Sequence, residues 1–418
     1  MKNYSYLCFN CKEKYSSKYI EENLIYLCPK CAVADKNQPL RGILEIVYDY
    51  SSIKEEVSVS SFLQQQPGKF WTYPYLWPID YDENRLTKIS ANQLSKLTLN
   101  TNNIIDVKIE KNQFKIFDDS KNITLSYKDR ASILVAIKAM QLGINEISAA
   151  STGNAGSSLA GICARLGIKC HIFVPKSIPQ GKRVQIQSFG ANIYVVDGDY
   201  DEAFDLCLDV SKKKKWYNRN TAYNPLTIEG KKSSVFDMFI ELKGKLPNYI
   251  FVSAGDGVII SGIYKGLKEL LEMGWIKKIP KLIGVQAEYS DALIRYLETN
   301  RFEYLPACTV ADSICAGAPR NLYMAAEAIM KTNGRGVRVT DDEIIIAQKS
   351  LAKNGILTEP AASATLAGFL KFRKTDTHDL HDSMLMITGN GLKDVSSLEQ
   401  WNAPPKIKSC DIWKNELL

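Results

Sequence analysis

The chain predicts an α/β fold of two open, twisted, mainly parallel sheets with helices on both faces, preceded by a small cysteine-built module. Three observations carry that expectation. From residue 146 onward, apolar strand-like runs alternate with helical segments. The first 31 residues hold two Cys-x2-Cys pairs. With 45% hydrophobic and 24% charged residues, a chain of 418 is long enough for two or three packed cores.

Cys8-x2-Cys11 and Cys28-x2-Cys31 lie 16 residues apart. Each tight knuckle presents two sulfurs to one point about 2.3 Å away, as a tetrahedral zinc site requires. The segment between them is too short to bury a core, so metal binding would supply its folding energy. The plainer alternative is four reduced thiols in a module that has lost its metal. A closed site of Cys8, Cys11, Cys28 and Cys31 has no open coordination position, so its role is structural and catalysis belongs elsewhere.

Residues 42–50 alternate like a strand. Trp71, Tyr73, Tyr75 and Trp77 follow at period two and read as a cover over the core rather than a ligand box. Residues 133–142 form an apolar helix. A strand at 146–150 then runs through a Gly-containing turn into a helix near 156–166. The rhythm continues with strands at 171–174 and 192–196 and helices at 181–189 and 201–213. Further strands fall at 249–253, 281–286 and 384–388, with a helix at 262–271. In sheets of this kind ligands bind at the carboxyl ends of the strands.

The charge balance, 53 basic against 46 acidic residues, gives a mild net +7. Its densest run, Lys212 to Lys215, reads as a solvated face, and no basic stripe with interleaved aromatics suggests nucleic-acid binding. No stretch approaches the roughly 18 apolar residues of a membrane span, and the N-terminus lacks a signal-peptide apolar segment. The expectation is a cytoplasmic protein with reduced cysteines. Oligomeric state stays open, a homodimer being the commonest assembly.

Three Gly-rich strand ends stand out: Ser151-Thr152-Gly153-Asn154-Ala155-Gly156, Ser253 to Gly262, and Thr388-Gly389-Asn390-Gly391. Hydroxyls and free N–H groups at a helix start suit a carboxylate, and the glycines of the second turn let backbone wrap a phosphate. Singly, each also reads as a plain tight turn; three in one α/β chain point to one crevice. Ser126-Tyr127-Lys128-Asp129-Arg130 precedes the first turn. Judged alone, its lysine is surface electrostatics. Desolvated in such a crevice, it can form a Schiff base.

In this order the motifs resemble the pyridoxal-phosphate (PLP) enzymes of fold type II, and most closely the threonine synthases. The resemblance implies that Lys128 holds PLP covalently and that Asn154 meets the cofactor's 3′ oxygen. Gly255, Asp256, Gly257, Val258 and Ile259 fall on the phosphate loop, and Thr388 faces the pyridine nitrogen. Ser151 and Thr152 would meet the substrate carboxylate. Asn224-Pro225 with Ile228-Glu229-Gly230-Lys231-Lys232, and Thr388 to Asp394, are similar to two further family segments. The implied organisation is a zinc-ribbon-like module over 1–45, a large PLP-binding domain over 46–145 and 219–418, and a small α/β domain over 146–218.

Four departures accompany the resemblance. Ser90 to Leu94 replaces the family's G-N-T-P-L, and Asp256 puts a carboxylate in the phosphate loop, where it repels a dianion unless its side chain turns outward. Tyr127 stands for Phe, and Thr227 for an arginine common in the family. The implied activity is elimination of phosphate from O-phospho-L-homoserine with addition of water to give L-threonine. The alternatives are β-replacement or β-elimination on O-phosphoserine, serine or threonine, as in cysteate synthase, and a non-catalytic PLP-binding paralogue. The expected partner is a small amino acid, O-phosphorylated, with PLP and structural zinc as cofactors.

Overall fold

A computed structural model describes residues 4–82, 85–86, 88–151, 153–375 and 380–417. Strands β1 (Tyr4–Cys8), β2 (Lys14–Ser16) and β3 (Leu44–Tyr48) make an antiparallel sheet of order β2-β1-β3. A short hairpin, β4 (Tyr81–Asp82) and β5 (Arg85–Leu86), stands apart. The next strands are β6 (Ile104–Ile109), β7 (Asn112–Asp118), β8 (Glu146–Ala150), β9 (Lys169–Pro175), β10 (Asn192–Val196) and β11 (Tyr217–Asn218). The last are β12 (Tyr249–Ser253), β13 (Lys281–Ala287), β14 (Arg335–Val339) and β15 (Ser383–Ile387).

Two sheets form the body. One has the order β10-β9-β8-β11 and is parallel throughout. The other has the order β14-β13-β12-β15-β7-β6 and is parallel except at the β6–β7 edge. Its central strands β12 and β15 are buried at every position, as sheets covered on both faces require. Among the described residues, no helix is long and apolar enough to cross a membrane.

The helix Asp129–Gln141 buries every residue except Met140. With no solvent face, it must pair its buried polar residues, Asp129, Arg130 and Lys138 among them, inside the protein. Its single lysine in the last turn, Lys138, is anchored to the N-terminal module by Glu21 Oε1 at 3.0 Å and Tyr4 Oη at 2.9 Å. Strand β3 adds a second anchor, where Lys265 Nζ donates to Ile46 O at 2.6 Å.

Tyr73 and Trp77 are buried against Phe62 and Phe236, with Trp71 and Tyr75 partly covered. They do cover the core. They do so from consecutive 3-10 turns, Phe70–Thr72 and Pro74–Leu76, and not from a strand. Pro74 explains the difference, since it fits a turn start and supplies no ladder donor.

Candidate active site

A cavity of about 550 Å³ lies where the carboxyl ends of β8, β12 and β15 converge. Ala150 and Ser151, Ser253 to Ile260, and Thr388 line it, so the three Gly-rich turns meet in one place. Lys36 and Asn37 of the N-terminal module also line it, and Lys36 Nζ reaches Asp199 at 2.8 Å.

Lys128 lines the cavity, placed there by the residues around it. Ser126 pairs with Gly389 in an antiparallel bridge, and the Tyr127 N–H donates to Thr388 O at 2.9 Å. Those bonds set Lys128 and Thr388 side by side on the cavity wall. Asp129 accepts from the Thr124 N–H at 2.7 Å and the Thr124 hydroxyl at 2.5 Å. The Tyr127 phenol donates to Lys231 O at 2.8 Å and shares a bond with Ser234 Oγ at 2.6 Å. Lys128 Nζ has no ion pair or hydrogen bond among the described residues. Burial pushes its pKa down to about 8, with Arg219 adding to the shift and Glu359 and Asp256 opposing it.

Ser151 Oγ accepts from the N–H groups of Gly153 at 3.2 Å and Gly156 at 2.9 Å, which ties the first turn to its helix, Asn154–Leu166. Thr152 lies outside the described residues. Asn154 is buried at the cavity wall. Its amide nitrogen donates to both Glu359 oxygens at 2.9 Å, while its Oδ1 has no partner among the described residues, the kind of orphan that a polar ligand satisfies.

The second turn is built for close approach. Gly257 has φ +79° at the start of the helix Val258–Glu272, and a Cβ there would meet Ala325 Cβ at 2.6 Å. A Cβ on Gly255 would meet Ile314 Cα at 2.8 Å. The first turn of the helix leaves its N–H groups open toward the cavity, a ready anion site. Asp256 does not point its charge freely at that site. Its Oδ1 accepts from the Arg320 N–H at 3.2 Å. A backbone cradle, an unpartnered lysine and an orphan amide oxygen on one cavity wall fit a phosphate-bearing aldehyde such as PLP.

Two wall residues, Glu359 and Lys231, and the buried Arg219 have no role assigned from the sequence. Glu359 is buried and lines the cavity, covering Gly389, where a Cβ would meet its carboxylate at 2.3 Å. A glutamate inside the apolar run 356–370 was the available signal. Arg219 is buried, bonds Ser132 Oγ and Thr221 Oγ1, and leaves Nη2 without a partner. Lys231 is buried and borders the cavity. Thr227 spends its hydroxyl on Asn224 O at 2.7 Å and the Ala222 N–H at 3.1 Å. The segment 90–94 is a capped short helix that does not line the cavity. Lys393 is satisfied by Thr124 O, Ser157 Oγ and Gln185 Oε1 at 2.9–3.0 Å, and clamps the last Gly-rich turn to two helices.

At the N-terminus, the sulfurs of Cys8, Cys11, Cys28 and Cys31 all lie within 4.8 Å of one another, a cluster able to hold a metal ion.

A family model described as pyridoxal-phosphate dependent enzyme matches residues 110–389. The chain is 31% identical over 411 residues to a threonine synthase of Methanocaldococcus jannaschii, covering 97% of this chain and 96% of that one. To a threonine synthase of Methanosarcina acetivorans it is 30% identical over 415 residues, covering 98% and 97%. Among solved structures, maize serine racemase aligns with a TM-score of 0.61 at 17% identity, over 73% of this chain and 88% of its own. O-ureido-L-serine synthase aligns at 0.62 and 15%, over 78% and 99%. At such identities those two share the fold.

Proposed function

Because the chain belongs to the pyridoxal-phosphate dependent enzyme family, we propose that it is a threonine synthase-like lyase acting on O-phospho-L-homoserine, with water, to give L-threonine and phosphate. One observation carries the reading: a lysine without a partner among the described residues stands at the junction of three Gly-rich turns, in a chain similar to threonine synthases over nearly its whole length. PLP, when bound, supplies an electron sink for charge developing at the substrate Cα. Lys128 would hold it covalently, and its Nζ, when neutral, would be a base for the proton on Cα. The backbone of Gly255 to Ile259 would hold the cofactor phosphate, with Asn154 and Thr388 positioning the ring. Ser151 and Thr152 take the substrate carboxylate.

The test is product analysis. PLP-loaded protein is incubated with O-phospho-L-homoserine or with O-phosphoserine, and phosphate and amino acids are followed. Phosphate and threonine from the first ester, with neither product from the second, is the expected result. Phosphate from O-phosphoserine alone would move the assignment to β-elimination or β-replacement.

The four cysteines fit zinc. Bonds near 2.3 Å give a tetrahedron with edges of about 3.8 Å. Cys8 and Cys31 sulfurs are 3.4 Å apart and those of Cys11 and Cys28 3.6 Å. Elemental analysis is expected to find a single zinc per chain. Chelation is expected to lower the melting temperature, because Tyr4, Glu21 and Lys138 tie this module to the central helix. Protein that holds no metal and melts unchanged with chelator would contradict the assignment.

A further inference from the structure

We infer that Lys231 is the specificity-determining cation of this cavity, and that its ammonium takes the phosphate group of a phosphorylated substrate. The inference rests on the proposed function only for the identity of that substrate.

Lys231 has no solvent-exposed surface, yet it borders the cavity. An ammonium has three donors, and here Nζ meets a single neutral acceptor, Thr227 O at 2.9 Å. Among the described residues no carboxylate lies within ion-pair distance. Burial, with the charges of Lys128 and Arg219 adding to it and Asp256 opposing, pushes its pKa well below the usual lysine range. Arg219 Nη2 is likewise buried without a partner. The cavity's carboxylates are engaged elsewhere: Asp256 and Glu359 accept from the Arg320 N–H and the Asn154 amide, and Asp199, Asp201 and Asp312 pair with Lys36, Arg320 and Lys182. Lys231 is thus a buried ammonium with idle donors and no paired carboxylate among the described residues, costly to keep unless an anion arrives. The cofactor phosphate already has a backbone cradle in Gly255 to Ile259. Lys231 and Lys128 line the same cavity. A dianion bound there would engage the idle donors and favour the protonated lysine.

The experiment compares PLP-loaded wild type, Lys231→Met and Lys231→Arg. Calorimetric titration with inorganic phosphate is paired with cofactor affinity and steady-state kinetics on O-phospho-L-homoserine. For Lys231→Met the expected result is phosphate binding and KM each weakened about tenfold or more, with kcat changed less than about threefold and PLP affinity unchanged. Lys231→Arg retains phosphate binding. Unchanged phosphate binding and KM in Lys231→Met would overturn the inference. So would a weakened PLP affinity with phosphate binding intact, which would assign the cation to the cofactor instead. Should Lys231→Met not fold, Lys231→Gln, neutral and still able to donate to Thr227 O, carries the same comparison. Phosphate binding that depends on Lys231, in a protein that does not convert phosphohomoserine, would sink the function and leave this site standing.

Discussion

Lys128→Ala is expected to abolish the visible absorbance of PLP-loaded protein and to lower turnover by about three orders of magnitude or more. No other group combines the required features. Lys128 lines the cavity beside Thr388, lacks a partner among the described residues, and is held in register by four neighbours in sequence. Lys393 is saturated by three acceptors, so it cannot take over. Burial pushes Lys128 down to about 8, against about 10.4 for an ordinary lysine. The neutral amine is the nucleophile, so PLP uptake by cofactor-free protein should rise with pH around a midpoint near that value. Uptake falls below it as the amine becomes protonated. Stopped-flow absorbance across pH checks this, and a midpoint near an ordinary lysine's would contradict the burial argument. Retained turnover in Lys128→Ala would remove the lysine from the mechanism.

The second large effect is on stability. Arg130→Met is expected to cost about 3–5 kcal/mol, because it strands two buried carboxylates. Arg130 is fully buried and pairs with Asp119 Oδ2 at 2.5 Å and Asp237 Oδ2 at 2.6 Å. Its guanidinium also donates to Ser233 Oγ at 2.9 Å. Burial works against its charge, and the two carboxylates outweigh that, holding its pKa well above the usual range. The network joins the end of β7, the start of the central helix and the helix Ser233–Glu241. Since Arg130 is two residues from Lys128, PLP loading should weaken along with the fold. Urea unfolding with an unchanged slope measures the loss. A change below about 1 kcal/mol would mean that the network does not hold the site.

How far the sequence could be read depended on whether a feature was local. The strands 192–196 and 249–253 match β10 and β12 from end to end, because short apolar runs bounded by turns carry their own limits. Helix starts were misplaced. The expected helices at 156–166 and 262–271 begin earlier, at Asn154 and Val258, because Gly153 and Gly257 precede them without a side-chain cap to mark the boundary. The β6–β7 hairpin is absent from the sequence-based elements, although Ile105, Val107 and Ile109 alternate with Asp106 and Lys108 at the period of a half-buried edge strand. The two Cys-x2-Cys pairs were legible since ligand spacing is a local property. Glu359 and Lys231 were not. Each becomes meaningful only when distant segments close around one cavity, and Asp256 shows its restraint only beside Arg320.

The central claim is that Lys128, among several lysines in and around this cavity, carries the cofactor. Borohydride reduction of PLP-loaded wild type, followed by proteolysis and mass spectrometry, tests it directly. The expected result is a pyridoxyl-phosphate mass on the peptide containing Lys128, with Lys231 and Lys393 unmodified. The label on Lys231 or Lys393, or no label in protein that binds PLP, would contradict the account.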